Sequence, residues 1–246
     1  MQIFGDYHTH TTFSHGKGTV LENAQAAQEM GLKELGIADH GFGHILYGMD
    51  KRDLPKLRAE IENATAQTGV RVLLGVEANF ISPNGDIDIA PAEIEKFDFI
   101  LVGQHRFVKA RWADKFGFLL PNILGIKSKK MREKNTQAII RAMEKYPIDA
   151  ITHPKHGMAI DVLAVAKKAL ETNTMIELNA SKMLFSREEI AKMCQMGVMF
   201  LISSDAHTPE KIGRVENMLK VVKEYNIPES QVANLNKLPT FKRKKL

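Results

Sequence analysis

The chain has one cysteine, Cys194, so it cannot close an internal disulfide and its stability must come from packing. That usage suits a reducing compartment. No run of about 20 apolar residues is present, the length that a membrane-spanning helix requires. The opening residues, MQIFGDYHTHTTF, lack the basic stretch followed by an apolar stretch that marks a secretory leader. A cytoplasmic protein without a membrane partner is therefore expected. Glycine (17) and proline (9) are near average for 246 residues, which excludes collagen-like chains and argues against long disordered segments. No shift in composition marks a linker, so one domain over 1–246 is expected. Charge of neither sign dominates: 34 Lys and Arg against 29 Asp and Glu leave a net +5. Part of that excess is the terminal FKRKKL, 241–246, which reads as a solvated basic tail.

Apolar residues, 44% of the chain, include seven short runs at 3–7, 34–38, 70–76, 97–103, 148–152, 175–178 and 198–203. The runs are rich in Ile, Val, Leu or Phe, and being apolar on both faces they suit parallel strands covered by helices. Amphipathic stretches lie between them. Thr19-x-x-Glu22 and Ser186-x-x-Glu189 read as capping boxes, Thr208-Pro209 as an N-cap followed by proline, and Gly31 and Gly69 as helix stops. Seven βα units with short links imply right-handed crossovers and a parallel sheet that closes into a barrel or stays doubly wound.

Residues with metal-binding chemistry follow these runs. His8, His10 and His15 come after the first, Asp39-His40 after the second, Glu77 after the third and His105 after the fourth. His153 follows the fifth, Asn179 and Ser181 the sixth, and Asp205 and His207 the seventh. In a parallel barrel all these strand ends open onto one face, so groups distant in sequence converge. The spacing fits βαβ units except for a step of 48 from His105 to His153, where a basic stretch, 107–130, forms a candidate lid.

His-x-His on a strand turns both imidazoles to the same face, a chelating pair. His8, His10, His15, His40, Glu77, His105, His153, Asp205 and His207 offer more donors than one ion takes. Two or three divalent ions are expected, with Glu77 suited to spanning two through its two oxygens. The imidazole-rich set favours zinc, and the carboxylates leave manganese or iron open. Three such ions less two carboxylates leave about +4 in one cleft, which a low-dielectric pocket cannot hold uncompensated. A bridging hydroxide and a multiply charged anion, of which phosphate is the commonest, would compensate it. Phosphoester hydrolysis is therefore the expected reaction, with hydroxide attacking phosphorus in line and no catalytic side chain apart from the ligands. Arg106, Lys155 and Lys182 follow strand ends as candidate phosphate grips, and Asp6 and Asp39 could orient ligand imidazoles. His44 reads as loop and His156 as a rim residue.

Asp6-Tyr7-His8-Thr9-His10-Thr11, Ala38-Asp39-His40-Gly41, Gln104-His105, Thr152-His153-Pro154 and Ser204-Asp205-Ala206-His207-Thr208 resemble, in order, the motifs of the polymerase and histidinol phosphatase (PHP) superfamily. Gly75-Val76-Glu77-Ala78-Asn79, Asn135-Thr136-Gln137-Ala138 and Glu177-Leu178-Asn179 look most like its YcdX-type phosphatases. The resemblance spans nearly the whole chain. It implies an α/β fold, a distorted (βα)7 TIM-like barrel, with a trinuclear metal site at the C-terminal ends of the strands. By motif, His8, His10 and Asp205 would hold the first ion, His15, His40 and His207 the second, and His105 with His153 the third. Glu77 would bridge the first and third. The implied activity is a metal-dependent phosphatase acting on a small phosphorylated metabolite. The alternative is a nuclease or phosphodiesterase acting on nucleic-acid ends, with the insertion and tail tracking a phosphate backbone. A non-catalytic accessory module of the same superfamily is a third reading, opposed by the full set of ligands. An amidohydrolase-type enzyme would carry a lysine after the fourth strand, where Gln104-His105-Arg106 stands.

Overall fold

The computed structural model describes residues 1–242. Its strands are β1 (Gly5–Thr9), β2 (Glu34–Ile37), β3 (Arg71–Asn79), β4 (Phe99–Gly103), β5 (Ala150–Ile151), β6 (Met175–Asn179) and β7 (Phe200–Ser203). All neighbouring strands pair in parallel, and their order in the sheet is their order in the sequence. The helices are α1 (Val20–Glu29), α2 (Leu54–Thr68), α3 (Pro91–Ile94), α4 (Trp112–Asp114), α5 (Leu120–Ile123), α6 (Lys129–Lys145), α7 (Val162–Glu171), α8 (Arg187–Met196) and α9 (Glu216–Glu224). No helix among the described residues is long and apolar enough to cross a membrane.

Local chemistry sets several boundaries. Thr19 with Glu22 and Ser186 with Glu189 form the two capping boxes that start α1 and α8. Gly69 stops α2 in the left-handed conformation, φ 71°, which glycine adopts without a Cβ clash. Thr208-Pro209 starts only a short 3₁₀ turn, Pro209–Lys211, and Thr208 makes no side-chain cap. The main helix begins later, at Glu216.

The sheet curls until β1 and β7 meet. At the C-terminal mouth, His10 N donates to Ala206 O (2.9 Å) and Ala206 N to His8 O (3.2 Å). Deeper in the seam the buried Asn234 takes the place of a strand: its Nδ2 donates to Gly5 O and Ile202 O, and its Oδ1 accepts from Ile202 N. The result is a nearly closed seven-stranded barrel. Its apolar interior is a cluster of its own, with Tyr7, Leu73, Phe99, Leu101, Leu201 and Phe241, while a larger cluster lies between strands and helices. Gly75 leaves room for this interior, because a Cβ there would lie 2.1 Å from the Phe99 ring.

Two expectations are corrected. The tail does not begin at residue 241: Phe241 is buried, stacked on Phe99 at 4.9 Å, and plugs the barrel. Lys242 N donates to Asp149 Oδ1, and residues 243–246 lie outside the described residues. Strands β1 and β3 also run further than their apolar runs suggest, so His8 and Glu77 lie within strands rather than after them. Both are fully buried inside the mouth, where strand geometry holds them.

Candidate metal centre

All nine histidines gather at the C-terminal mouth, linked ring to ring by centroid separations of 4.2 to 5.5 Å. Glu77 stands in their midst. Its Oε2 lies 3.2 Å from His8 Nε2, 3.1 Å from His40 Nδ1 and 3.4 Å from His105 Nε2, and its Oε1 lies 2.9 Å from His153 Nε2. Gly103 makes this approach possible: a Cβ there would sit 2.9 Å from both Glu77 Oε1 and His153 Cε1. Asp205 Oδ1 lies 3.7 Å from His8 Nε2 and 3.6 Å from His10 Nε2. His153 (φ 29°) and Asp205 (φ 57°) hold left-handed backbone conformations, a local strain that cooperative surroundings must support.

Four sets of potential ligand atoms lie within 4.8 Å of one another: His8, His10 and Asp205; His10, His40 and His207; His8, Glu77 and His153; and His40, Glu77 and His105. Eight of the nine candidate ligands from the sequence are thus brought together. His15 enters none of these sets, although its ring stacks on His40 at 4.7 Å and meets His207 at 4.2 Å. His44, read from the sequence as loop, stacks on His40 at 5.1 Å, and His156 lies 5.5 Å from His153.

A surrounding shell fixes which ring nitrogen faces inward. Glu177 Oε1 lies 2.7 Å from His8 Nδ1, so that nitrogen carries the proton and Nε2 turns its lone pair to the centre. Asn79 Nδ2 donates to Asp88, which leaves its Oδ1 to accept from His105 Nδ1 at 2.6 Å. His207 Nδ1 donates to the Asp205 carbonyl at 2.9 Å. Lys182 Nζ is held 2.5 Å from Asp205 Oδ2, so it is a partner of this acid rather than a free phosphate grip. Asp6 and Asp39 do not orient imidazoles. Asp6 accepts from Ser204 and Gly213, and Asp39 from Thr11 and Ser14, so the oxygens of each are taken by backbone and hydroxyl donors and tie loops together. Glu177, within the Glu177-Leu178-Asn179 motif, takes on a role that the sequence reading does not assign it. A glutamate alone inside a buried apolar strand, Met175–Asn179, was the signal available for it. Glu177→Ala is expected to weaken metal retention about 10- to 100-fold, as loss of an imidazole's outer partner does. Glu177→Gln, whose amide oxygen still accepts, is expected to recover most of it in competition with a chromophoric chelator.

Electrostatics favour cations here. Burial opposes charge on Glu77, but His105, His8, His153 and His40 outweigh it and hold its pKa well below the usual carboxylate range. Asp205 is lowered in the same sense despite burial, by His8, His10 and Lys182. Burial pushes His10 and His105 well down, and His15 and His44 to about 4, so their lone pairs are free at neutral pH. Burial also opposes a proton on His8, yet Glu77, Glu177 and Asp205 win and hold its pKa well above the ordinary value. A cation would replace that proton. Among the described residues, the buried polar atoms that make no well-formed hydrogen bond fall mostly in this one place: His8 Nε2, both nitrogens of His10 and His153, Nδ1 of His15 and His40, Glu77 Oε2 and Asp205 Oδ1. Each such atom costs about 1–3 kcal/mol unless something coordinates it. The donor set, imidazole nitrogen and carboxylate oxygen, fits divalent transition ions.

The depressed His44 has a measurable consequence. Its imidazole takes a proton near pH 6.5 in the unfolded chain and near 4 in the folded one, so the unfolded state binds more protons between those values. Stability from this group is present above pH 6.5 and is lost as pH falls toward 4. In the metal-free protein, the melting temperature of His44→Gln is expected to fall less than that of wild type between pH 7 and 5.

Beside the cluster lies a cavity of about 240 Å³ bounded by His15, His40, His105, Arg106, Phe107 and Ile123 among others. It adjoins a second of about 540 Å³, and Arg106, Asn122, Ile123 and Gly157 line both. Arg106 is thus placed at the site. Lys155 is not free to grip a phosphate, because both oxygens of Glu189, the capping glutamate of α8, hold its Nζ at 2.9 and 3.0 Å. The stretch 107–130 is a wall rather than a loose loop: Phe118 and Leu119 are buried, and Asn122 exchanges hydrogen bonds with Asn135 of α6.

Comparison with known proteins agrees with this arrangement. The family model described as the PHP domain matches residues 6–228. A probable phosphatase of Thermoanaerobacter sp. strain X514 is 32% identical over 95% of this chain and 91% of its own length. One from Clostridium novyi is 30% identical over 100% of this chain and 96% of its own. Among solved structures, a histidinol phosphate phosphatase from Lactococcus lactis, complexed with zinc, L-histidinol and phosphate, superposes with a TM-score of 0.65 at 13% identity. That match covers 93% of this chain and 95% of the other, and shows a shared fold. A sheet of seven parallel strands in sequence order, imidazoles crowded at one mouth and a matched model over most of the length together place this chain in the PHP domain family.

Proposed function

We propose that this chain is a phosphatase that hydrolyses a small phosphorylated metabolite with the help of three divalent ions, zinc being the best fit to the donors. The carrying observation is the buried group of unpartnered imidazole and carboxylate atoms around Glu77. The curated relatives, named probable phosphatases, support the reaction class. We assign His8, His10 and Asp205 to one ion, His40 and His207 with His15 to a second, and His105 and His153 to a third, with Glu77 reaching two of them.

Bound divalent ions would supply charge to offset the phosphoryl oxygens and would lower the pKa of a water at neutral pH. The chain's own residues prepare that chemistry. Glu177 and Asn79 hold His8 and His105 so that each Nε2 faces inward. Thr152 Oγ1 donates to Glu77 Oε1 at 2.8 Å and keeps that carboxylate from turning away. Lys182 keeps Asp205 ionised. Arg106 has no acceptor among the described residues and lines the cavity, so its guanidinium fork is the group assigned to non-bridging phosphoryl oxygens.

The test is phosphate release by metal-loaded protein from an aryl phosphate, a panel of phosphorylated metabolites and short oligonucleotides. Monoesters are expected to turn over with little dependence on salt. Cleavage confined to oligonucleotides and falling steeply with salt would favour the nuclease reading. No release from any of them would sink both.

A further inference from the structure

The stretch 107–130 carries two features that the metal centre does not use. Its six cations, Lys109, Arg111, Lys115, Lys127, Lys129 and Lys130, stand against a single acid, Asp114, so that it holds the whole net charge of the chain, +5. All six are exposed, and among the described residues Arg111 alone is paired, with Asp114 at 2.8 Å. The second feature is an apolar stripe. From α4 through a π turn, Lys115–Leu119, into α5, Trp112, Phe116, Leu120 and Leu124 recur every four residues and all face solvent. Trp112 is 74% exposed, Phe116 60% and Leu124 67%. The rings of Trp112 and Phe116 stack at 5.6 Å, with Lys115 Nζ 5.4 Å above the indole. The opposite side of the same segment, Phe118 and Leu119, is already spent on the core. The exposed Ile45 is tied to the start of the same stretch, its N donating to Phe107 O at 2.7 Å.

Soluble surfaces rarely leave so many large apolar side chains uncovered in one place. We infer that this face lies on an anionic lipid surface, with Trp112, Phe116, Leu120 and Leu124 in the headgroup boundary and the surrounding cations on lipid phosphates. The chemistry selects that occupant. A second copy would bring the same +5 against itself. Single-stranded nucleic acid would use the aromatic rings and the cations, but Leu120 and Leu124 offer bases nothing to stack on. Exposed aliphatic and aromatic side chains on a segment that carries six exposed cations match an interfacial helix. Such a segment lies along the membrane and spans nothing, so it departs from the expectation of no membrane partner, which rests on the lack of a spanning run. Asn122, Ile123 and Lys127 of the same stretch line the cavities beside the imidazoles, so docking would set the mouth of the barrel next to the lipid.

Trp112 is the one tryptophan, which makes it the probe. Full-length protein is mixed with phosphatidylcholine vesicles with and without phosphatidylglycerol. The expected result is a blue shift of Trp112 emission and co-flotation with the anionic vesicles only, both reversed by high salt. Lys115→Gln and Lys130→Gln are each expected to weaken partition about fivefold. A Trp112→Ser, Leu124→Ser double variant, followed by flotation, is expected to abolish it while leaving aryl phosphate hydrolysis and melting temperature unchanged. No shift and no flotation would overturn the inference. So would a dimer in sedimentation velocity that the double variant splits, or capture by a single-stranded oligonucleotide where vesicles fail.

Discussion

Glu77→Gln is expected to lower kcat/KM for an aryl phosphate by about 10²- to 10³-fold, the scale on which a positioned electrostatic group acts in a reaction site. Glu77 is completely buried, and its two oxygens lie within 3.4 Å of His8, His40, His105 and His153. Glutamine keeps the shape and removes the charge. What is lost is the negative charge that the imidazole cage surrounds and the second carboxylate oxygen, which under the proposed assignment would reach a second ion. Circular dichroism is expected to match wild type, since Glu77 lies at the mouth and the apolar clusters are untouched. Metal content is expected to drop by at least one equivalent. Activity within tenfold of wild type at full metal content would remove Glu77 from the reaction.

Chelation is the second large effect. Stripping metal from the protein is expected to abolish phosphatase activity and to lower the melting temperature by roughly 10 °C. The reasoning is mass action: an ion present at about 1,000 times its dissociation constant stabilises by about 4 kcal/mol. In a domain of this size each kcal/mol moves the midpoint by about 2–4 °C. The structure supplies the cause, because without ions the mouth holds ionised Glu77 and Asp205 beside buried nitrogens that have no partners. Readdition of zinc or manganese is expected to restore both properties. An unchanged melting curve after exhaustive chelation would mean that the cluster holds no ion.

Much of this was legible in the chain. Apolar runs that recur between capped amphipathic stretches specify parallel strands and helices, because burial on both faces and helix capping are local rules. The placement of His, Glu and Asp at or near the ends of those runs then specifies one crowded mouth, since parallel strands all point the same way. Tertiary structure alone decided the rest. That His44 and His156 join the cluster depends on how two loops fold back. The partners of Asp6 and Asp39 depend on which loops pack beside them, and Lys155 is taken by Glu189 of α8. Phe241 looks like the start of a basic tail in sequence, but the barrel leaves an apolar opening that its ring fills. The inward tautomers of His8 and His105 rest on Glu177 and Asn79, contacts made between different strands or the loops after them. Local patterning states what each segment must bury, whereas the choice of partner for a polar atom is settled only when distant strands close around it.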